Sequence, residues 1–321
     1  MAPPHDDTDP PEGGATHPVC VAVDWGTSRF RAHLVGGDGR LLAGVASDDG
    51  MSRVERGGFE AVLTRLCAAW LAEHPGIPVV MGGMVGSRNG WREVPYVPCP
   101  AGPAEIAAGM VSFEIGGGTR VHIVPGLVVD DGAADVMRGE ETQILGTGVD
   151  DAVVVLPGTH SKWATVRNGR IEHFRTFMTG EIFGLLTRHS VLRLLAEPPF
   201  AGEAGRAAFR AGLAAATAGG GLLHRAFFAR AGVLTGKLAP GDVEPHVSGL
   251  LIGSEVGEAM TLAPGDLPLV LVADGIVATN YRAAIAAAGR EVEIVDPERA
   301  FVDGLIRLAR LGKEVPDVGS R

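Results

Sequence analysis

Two glycine-threonine turns carry the residue types that bind phosphate. The first, DWGTS at 24–28, follows the apolar run VCVAV, and the second, PGTHSK at 157–162, follows the apolar run VVVL. A glycine lets the backbone approach a ligand closely, and successive backbone N–H groups can form a concavity that binds an anion. Two such turns on either side of a cleft can hold a polyphosphate. We therefore predict nucleotide contacts from Gly26, Thr27, Ser28, Gly158, Thr159 and Lys162.

Asp24 is the candidate metal ligand of the first turn, because it ends the strand that precedes the turn. A carboxylate there could hold a hydrated Mg²⁺, a hard cation that prefers oxygen ligands. Structural roles stay open for both turns. Asp24 could instead accept backbone hydrogen bonds in an ordinary hairpin, and Lys162 could be a solvated surface lysine.

The elements that position these turns recur along the chain. Each half opens with a strand, a glycine-threonine turn, a second strand, a hairpin turn and a third strand. The hairpin glycines, Gly39 and Gly169, are separated by nearly the same number of residues as Gly26 and Gly158. An internal duplication explains this spacing. LVLV at 269–272 predicts a late strand that ends in the turn ADG.

The pattern divides the chain into four parts. Residues 1–17 are acidic and proline-rich and are expected to be a disordered tail. Residues 18–149 and 150–296 form the N-terminal and C-terminal α/β halves. Residues 297–315 contain an amphipathic helix that closes the chain, and we expect it to pack back on the N-terminal half.

Composition narrows the function classes. The 321 residues carry 38 acidic and 28 basic side chains, a formal charge of −10, which argues against a nucleic-acid partner or a membrane surface. The three cysteines lie singly, so a disulfide framework or a zinc site is not expected. With neither a signal peptide nor a transmembrane run in the sequence, we expect a cytoplasmic protein. The assembly state is left open, with a homodimer among the states allowed.

Two common nucleotide-binding motifs are missing from the sequence. The segment GVLTGKL at 232–238 is one residue short of a P-loop and has leucine where serine or threonine should hold magnesium. The loop GGMVGS at 82–87 does not match the dinucleotide fingerprint GxGxxG. A nucleotide enzyme with this sequence must use another phosphate cradle.

Seven blocks in a fixed order carry a family resemblance: VAVDWGTSRFRAHL (21–34), PVVMGGMVGSRNGW (78–91), VHIVPGL (121–127), DVMRGEETQILG (135–146), PGTHSKW (157–163), FRTFMTGE (174–181) and GLLIGSEV (249–256). Together they resemble the 2-dehydro-3-deoxygalactonokinase family of the sugar kinase/actin/Hsp70 superfamily. The resemblance implies an α/β fold of two duplicated actin-like (ribonuclease H-like) domains with mixed sheets and a central nucleotide cleft. It also implies ATP and Mg²⁺ as cosubstrates, and phosphorylation of the 6-hydroxyl of 2-dehydro-3-deoxy-D-galactonate in galactonate catabolism.

A kinase that attacks with an alcohol needs a carboxylate within hydrogen-bond reach of that hydroxyl. DVMRGEETQ offers Asp135, Glu140 and Glu141. By resemblance to sugar kinases, Asp135 at or near a helix start is our first candidate for the catalytic base, and Glu140 is the second. The alternative is structural, with Asp135 as a helix N-cap and Glu140 as a solvated helix residue.

A sugar acid also needs a receptor for its carboxylate, and the planar fork of arginine suits that role. The candidates are Arg29, Arg31, Arg88, Arg138 and Arg175, of which we prefer Arg138 and Arg88. Backbone N–H groups of the MGGMVGS loop, including Gly83, are expected to reach the substrate hydroxyls. Ser87 and Trp91 are expected to line the same site, although Trp91 could equally be a core residue.

The adenosine pocket is expected on the C-terminal half, near Asp274 and Gly275 at the end of the late strand. The resemblance is imperfect in two places. Asp274 precedes the glycine where the superfamily has small residues, and Pro157 stands where many members have an acidic residue. Magnesium would then depend more heavily on Asp24.

Three other functions compete with this hypothesis. The nearest is a kinase of another sugar acid, such as 2-dehydro-3-deoxygluconate. A nucleotide-binding regulator or a phosphohydrolase could use the same fold, and so could a structural actin-like protein. The sugar-acid kinase is preferred because seven blocks in the right order resemble that family.

Overall fold

The computed structural model describes residues 17–194, 197–198, 202–218 and 221–312. The predicted tail therefore lies outside the described residues, apart from its last residue. The strands are β1 (Pro18–Trp25), β2 (Phe30–Gly36), β3 (Leu41–Ser47), β4 (Val79–Gly82), β5 (Val97–Pro98), β6 (Val111–Ile115), β7 (Thr119–Ile123), β8 (Leu127–Val129), β9 (Asp135–Met137), β10 (Ala152–Leu156), β11 (Ser161–Arg167), β12 (Arg170–Phe177), β13 (Leu269–Val272) and β14 (Glu293–Val295).

The helices alternate with these strands in the first half and are concentrated between β12 and β13 in the second. They are α1 (Phe59–Leu66), α2 (Ala68–Glu73), α3 (Pro103–Ala108), α4 (Glu140–Gly146), α5 (Thr179–His189), α6 (Gly202–Thr217), α7 (Leu222–Ala226), α8 (Phe228–Leu234), α9 (Val243–Leu262), α10 (Gly275–Ala287) and α11 (Pro297–Gly312). Short 3-10 helices lie at Met51–Arg53, Met84–Gly86, Gly116–Gly118, Val191–Leu194 and Pro240–Asp242. The sequence pattern did not predict the helices α5 to α9.

The two large sheets repeat one topology. The first has the order β3-β2-β1-β4-β7-β6, and the second has the order β12-β11-β10-β13-β14. In each sheet the opening three strands are antiparallel neighbours, while the first strand pairs in parallel with the strand on its other side. This correspondence agrees with the predicted duplication. It also brings the end of β1 beside the end of β4, and the end of β10 beside the end of β13.

The central strands are covered on both faces. Every residue of β4, β10 and β13 is buried, as expected for apolar strands inside parallel pairings. One hydrophobic cluster joins both sheets through α4 and α11, and includes Ala22, Val154, Ile144 and Leu305. The outer face of the first sheet packs against α1, and the outer face of the second packs against α9 and α10.

A small third sheet adds contacts between the halves. It has the order β5-β8-β9, and Ala101, which follows β5, forms an isolated bridge with Ile171 of β12. The strand β12 of the second half therefore lies next to the small sheet of the first half. Among the described residues, no helix has the length and apolar character that crossing a membrane requires.

The helices α4 and α11 approach each other so closely that glycine is required at their contact. A Cβ atom at Gly304 of α11 would overlap the carbonyl oxygen of Thr142, and one at Gly146 of α4 would overlap the carbonyl oxygen of Ala300. Neither neighbour is a flexible side chain, so only a shift of a helix backbone could make room. The glycines therefore set the distance between these helices.

We expect Gly304→Ala to lower the free energy of unfolding by about 2–3 kcal/mol, because overpacking displaces a backbone. Gly257→Ala in α9 is the matched control, because a Cβ there meets no atom within 4 Å. That control should be neutral or stabilising by up to about 1 kcal/mol. Urea unfolding of both variants measures the difference, and equal stabilities would show that the helix contact is not tight.

Candidate active site

The first predicted phosphate turn follows directly from the end of β1. Asp24 lies there between Arg31 of β2 and Gly82 of β4. An Nη2 atom of Arg31 is 2.9 Å from Oδ2 of Asp24, and 26% of the Asp24 side chain is exposed. Burial raises the pKa of the Asp24 carboxyl, and the nearby Arg31 guanidinium offsets this only in part. The carboxylate is thus held at the strand end by one charged partner.

The backbone of this turn is fixed while its side chains stay accessible. The Gly26 N–H donates to the carbonyl of Arg29 at 3.0 Å. The Met51 and Ser52 N–H groups donate to the carbonyls of Gly26 and Thr27, each at 3.0 Å. Thr27 and Ser28 are both exposed. The turn therefore presents its hydroxyls on a rigid backbone.

The MGGMVGS loop runs directly past the end of β1. Gly83 has a φ of 91°, which favours glycine, and a Cβ there would lie 3.0 Å from the carbonyl oxygen of Trp25. That atom would also lie 3.4 Å from Oδ1 of Asp24. Gly139, at the start of α4, is in equally close contact with Gly83, since its own Cβ would lie 3.4 Å from the Gly83 Cα. Three of the sequence blocks meet at this point.

Asp135 is not at a helix start, which corrects our expectation for its local structure. It begins β9, and α4 begins five residues later at Glu140. Its Oδ2 accepts a hydrogen bond from the Thr176 N–H at 2.7 Å, and its Oδ1 accepts one from the Thr176 hydroxyl at 2.6 Å. Thr176 belongs to β12, so Asp135 joins the two halves and both of its oxygens are engaged.

Glu140 lies at the start of α4 and keeps access to solvent. Its Oε2 accepts a hydrogen bond from the Arg138 N–H at 3.0 Å. Its Oε1 is 3.5 Å from the Nζ atom of Lys162, with 25% of the Glu140 side chain and 5% of the Lys162 side chain exposed. Lys162 is therefore a buried residue of β11 that faces a carboxylate of the other half, rather than an exposed part of the second turn.

Glu141 is fully buried behind Glu140. It accepts hydrogen bonds from the Gly139 N–H at 2.7 Å and from the Thr142 hydroxyl at 2.9 Å. Burial and the neighbouring charge of Glu140 raise the pKa of Glu141 to about 7. These contacts fix the first turn of α4, which carries Glu140.

Arg138 has a partly buried guanidinium with unused hydrogen-bonding capacity. Its Nη2 donates to the carbonyl of Val94 at 2.8 Å, and its guanidinium carbon lies 4.5 Å from the centre of the Tyr96 ring. Its Nε and Nη1 atoms are buried, and they find no hydrogen-bond partner among the described residues. A Cβ at Gly86 would lie 2.9 Å from Nη1, so the MGGMVGS loop leaves space for this group. A partly buried, incompletely paired cation is suited to an anionic ligand.

The other residues predicted to line the substrate site are more widely placed. Ser87 contacts the Met51 sulfur at 3.5 Å, and Arg88 is exposed. The Trp91 ring is stacked parallel to the Phe59 ring, with 6.1 Å between the ring centres, and is edge-on to the Phe113 ring, with 5.1 Å between the centres. These contacts favour the core role that we left open for Trp91. Arg175 pairs with Asp131 at 3.2 Å, whereas Arg29 is exposed.

The second turn borders a large pocket of the C-terminal half. Gly158 and Thr159 are exposed, and Gly158 lines a pocket of about 790 Å³ together with residues of α5, α6, α9 and α10. Gly275 is the first residue of α10, and the neighbouring residues Ile276 and Asn280 line this pocket. The walls from α6 and α9 were not predicted from the sequence, because those helices were themselves missed.

Asp274 lies in a different pocket from the one bordered by Gly158. It lines a polar crevice of about 220 Å³ that Asp24 and Arg31 also line. The structure thus brings Asp24 and Asp274 to one crevice, while the first predicted turn, the MGGMVGS loop and the start of α4 meet beside it at Gly83. The second turn and the large pocket lie on the other half, and Lys162 reaches across to Glu140.

Comparison with known proteins agrees with this arrangement. The family model described as 2-keto-3-deoxy-galactonokinase matches residues 24–308. The chain belongs to that family. It is 38% identical over 297 residues to a Rhizobium meliloti (strain 1021) protein named as a probable 2-dehydro-3-deoxygalactonokinase, a match that covers 90% of this chain and 96% of the relative. It is 36% identical to the 2-dehydro-3-deoxygalactonokinase of Escherichia coli (strain K12), covering 90% and 97% of the two chains.

The 2-keto-3-deoxy-galactonokinase family also has a solved structure of closely similar fold. A crystal structure of a Sinorhizobium meliloti protein with the same enzyme name superposes with a TM-score of 0.83 at 37% identity. The superposition covers 91% of this chain and 98% of that one. The predicted family is confirmed, and the predicted α/β fold with a duplicated mixed sheet agrees with the observed topology. The chain is a carbohydrate kinase, and the predicted alternative of a nucleotide-binding regulator is not favoured.

The raised pKa of Glu141 predicts a pH dependence of stability. The folded chain binds the Glu141 proton more tightly than the unfolded chain does. Protonated Glu141 therefore contributes its full stabilisation below about pH 4.5, and this contribution is lost as the pH rises through about 7. Relative to Glu141→Gln, the free energy of unfolding of the natural chain should fall by about 2–3 kcal/mol between pH 5 and pH 8. Urea unfolding of both proteins at the two pH values measures this. Parallel pH profiles would contradict the assignment.

Proposed function

We propose that this chain transfers the γ-phosphoryl group of ATP to the 6-hydroxyl of 2-dehydro-3-deoxy-D-galactonate. The observation that carries the proposal is the partly buried guanidinium of Arg138, whose Nε and Nη1 groups find no partner among the described residues. A neutral sugar would leave this cation without a charged partner, whereas the carboxylate of a sugar acid would satisfy it. The enzyme names of the relatives support the galactonate isomer.

The substrate side is the surface between the MGGMVGS loop and the start of α4. The Arg138 guanidinium receives the carboxylate there, and Gly83 allows backbone groups to approach the substrate hydroxyls. Ser87 and Arg88 belong to the same loop, and they are proposed to form the outer part of this site. Close contact between Gly83 and Gly139 supports a single site built from both segments.

Glu140 is the proposed catalytic base, in preference to our first candidate Asp135. As the O6 atom of the substrate bonds to the γ-phosphorus, its proton passes to the Glu140 carboxylate and the bond to the ADP oxygen breaks. Glu140 is partly exposed next to the substrate side. Asp135 already accepts two hydrogen bonds from Thr176, and those bonds support a structural role between the halves.

The nucleotide is proposed to extend from the crevice into the large pocket. Gly26, Thr27 and Ser28 would contact its phosphates from one half, and Gly158 and Thr159 from the other. The adenosine would occupy the pocket of about 790 Å³ beside Gly275. Lys162 places a buried positive charge between Glu140 and the second turn, which offsets negative charge on the transferred group.

A magnesium ion fits the donors at the first turn. Magnesium usually takes one or two carboxylates together with substrate phosphates and waters, and Asp24 is a partly exposed carboxylate at the strand end. Asp274, which lines the same crevice, could contribute through water. No group of three or more metal-binding side chains occurs among the described residues, so the nucleotide would supply other ligands. The ion would neutralise phosphate charge.

ADP release in the presence of ATP and a panel of sugar acids tests the function. We expect strong stimulation by 2-dehydro-3-deoxy-D-galactonate and much weaker stimulation by 2-dehydro-3-deoxygluconate or by a neutral hexose. Preference for the gluconate isomer would change the substrate assignment. ADP release that is independent of any acceptor would indicate a phosphohydrolase.

The same assay tests the carboxylate receptor. Arg138→Met should raise KM for the sugar acid by roughly 10- to 100-fold, because a charged hydrogen-bonding partner is removed, with little change in KM for ATP. Arg88→Met is the matched control from an exposed position and should have a smaller effect. An unchanged KM in the Arg138 variant would remove that residue from the proposed role.

Paired substitutions distinguish the two candidate bases. Glu140→Gln should lower kcat by roughly 10²- to 10⁴-fold, since it removes the proton acceptor. Asp135→Asn retains one acceptor oxygen for Thr176 and should change kcat by less than about tenfold while lowering stability by about 1 kcal/mol. Steady-state kinetics and urea unfolding provide both measurements. The opposite result would assign the base to Asp135, and wild-type turnover in both variants would assign it to Glu141.

A further inference from the structure

A buried carboxylate connects the two parts of the nucleotide site. Glu255 of α9 accepts a hydrogen bond from the Trp163 indole N–H at 2.8 Å and another from the Tyr281 hydroxyl at 2.7 Å. The Tyr281 and Ser161 hydroxyl oxygens are 2.9 Å apart. All four side chains are buried. We call Ser161, Trp163, Glu255 and Tyr281 the Glu255 network.

The network joins two elements that border the proposed nucleotide site, β11 and α10, through Glu255 of α9. Ser161 begins β11 within the PGTHSK segment, and Trp163 follows two residues later on the same side of the strand. Tyr281 belongs to α10 and lines the large pocket beside Asn280. Because Glu255 bonds to both elements, it fixes the phosphate turn relative to the helix at the adenosine end.

Such a carboxylate is unfavourable for stability unless its hydrogen bonds are complete. Burial raises the pKa of Glu255, while hydrogen bonds from Thr179, Trp163, Tyr281 and Ser161 act in the opposite direction. These donors are neutral, so no opposite charge among them compensates the desolvation. A well-packed apolar residue could fill the same volume, so fold stability alone gives a weak reason for a carboxylate there.

We propose that Glu255 is a positioning residue that sets the distance between the phosphate turn at 157–160 and the adenosine pocket. The proposal rests on the nucleotide site described under the proposed function. A ligand that spans both parts gains affinity only when the two are held at the correct separation. A ligand that contacts one part alone does not depend on that separation.

Calorimetric titration with ADP and with adenosine tests this role. Glu255→Gln and Tyr281→Phe should each weaken ADP binding by roughly tenfold, because the first leaves one neutral acceptor oxygen for two donors and the second removes the hydroxyl that joins α10 to Glu255. Adenosine occupies one part alone and should bind each variant within about twofold of the natural protein, since Tyr281→Phe keeps the ring at the pocket and removes only the buried hydroxyl. The double variant should bind ADP about as weakly as Glu255→Gln, since both changes break the same connection.

Ser254→Ala is the matched control. Its hydroxyl donates to the Leu250 carbonyl within the same helix at 2.7 Å and is not part of the Glu255 network, so ADP affinity should be unchanged. Equal weakening of ADP and adenosine would overturn the positioning role and indicate general distortion of the pocket. ADP binding that is unaffected in Tyr281→Phe would also overturn it, even if Glu255→Gln did not fold. Failure of the natural protein to bind ADP would overturn the proposed nucleotide site itself.

Discussion

The close crossing of α4 and α11 is the constraint on which the rest of the structure depends. Both helices lie between the two large sheets, and Gly146 and Gly304 allow their backbones to touch. The first turn of α4 follows Arg138 and carries Glu140, while α11 returns the chain from the second half to the first. A wider crossing would move the start of α4 away from Gly83 and the end of β1. Packing between two helices thus determines where Glu140 and the segment before it lie relative to the MGGMVGS loop.

Polar contacts between the halves then divide the acidic residues of one sequence block into different roles. Asp135 uses both oxygens to hold Thr176, and Glu141 is buried against the backbone of Gly139. Glu140 faces Lys162 and remains partly exposed. The three carboxylates lie within seven residues of sequence. Glu141 is fully buried, whereas Asp135 and Glu140 are both partly exposed and differ in their partners. The different surroundings of the three groups follow from tertiary contacts.

Much of the fold was predictable from local pattern, because the buried strands are short apolar runs bounded by glycine turns. The repeated order of strands and turns predicted the duplicated sheet topology. The amphipathic pattern near the end of the chain predicted α11. Of the missed helices, α6 is rich in alanine and glycine, which weakens its apolar pattern, and α9 buries residues around much of its circumference. At the site, the role of Trp91 could not be predicted, since an aromatic residue after a glycine loop suits a ligand or a core equally. Asp135 was misplaced because a three-residue strand is too short to show a period.

The buried ionisable groups differ in how their charge is compensated, and that difference bears on substrate choice. Glu255 is surrounded by neutral donors, and Glu141 accepts a backbone and a hydroxyl hydrogen bond. Of these three groups, Arg138 alone has buried polar atoms without a partner among the described residues. An unpaired cation destabilises the free protein, and a ligand carboxylate would relieve that penalty upon binding. A neutral sugar would displace water from the same guanidinium without supplying a counter-charge. Selectivity for an acid over a neutral sugar would therefore come as much from rejection of the neutral ligand as from attraction of the anionic one.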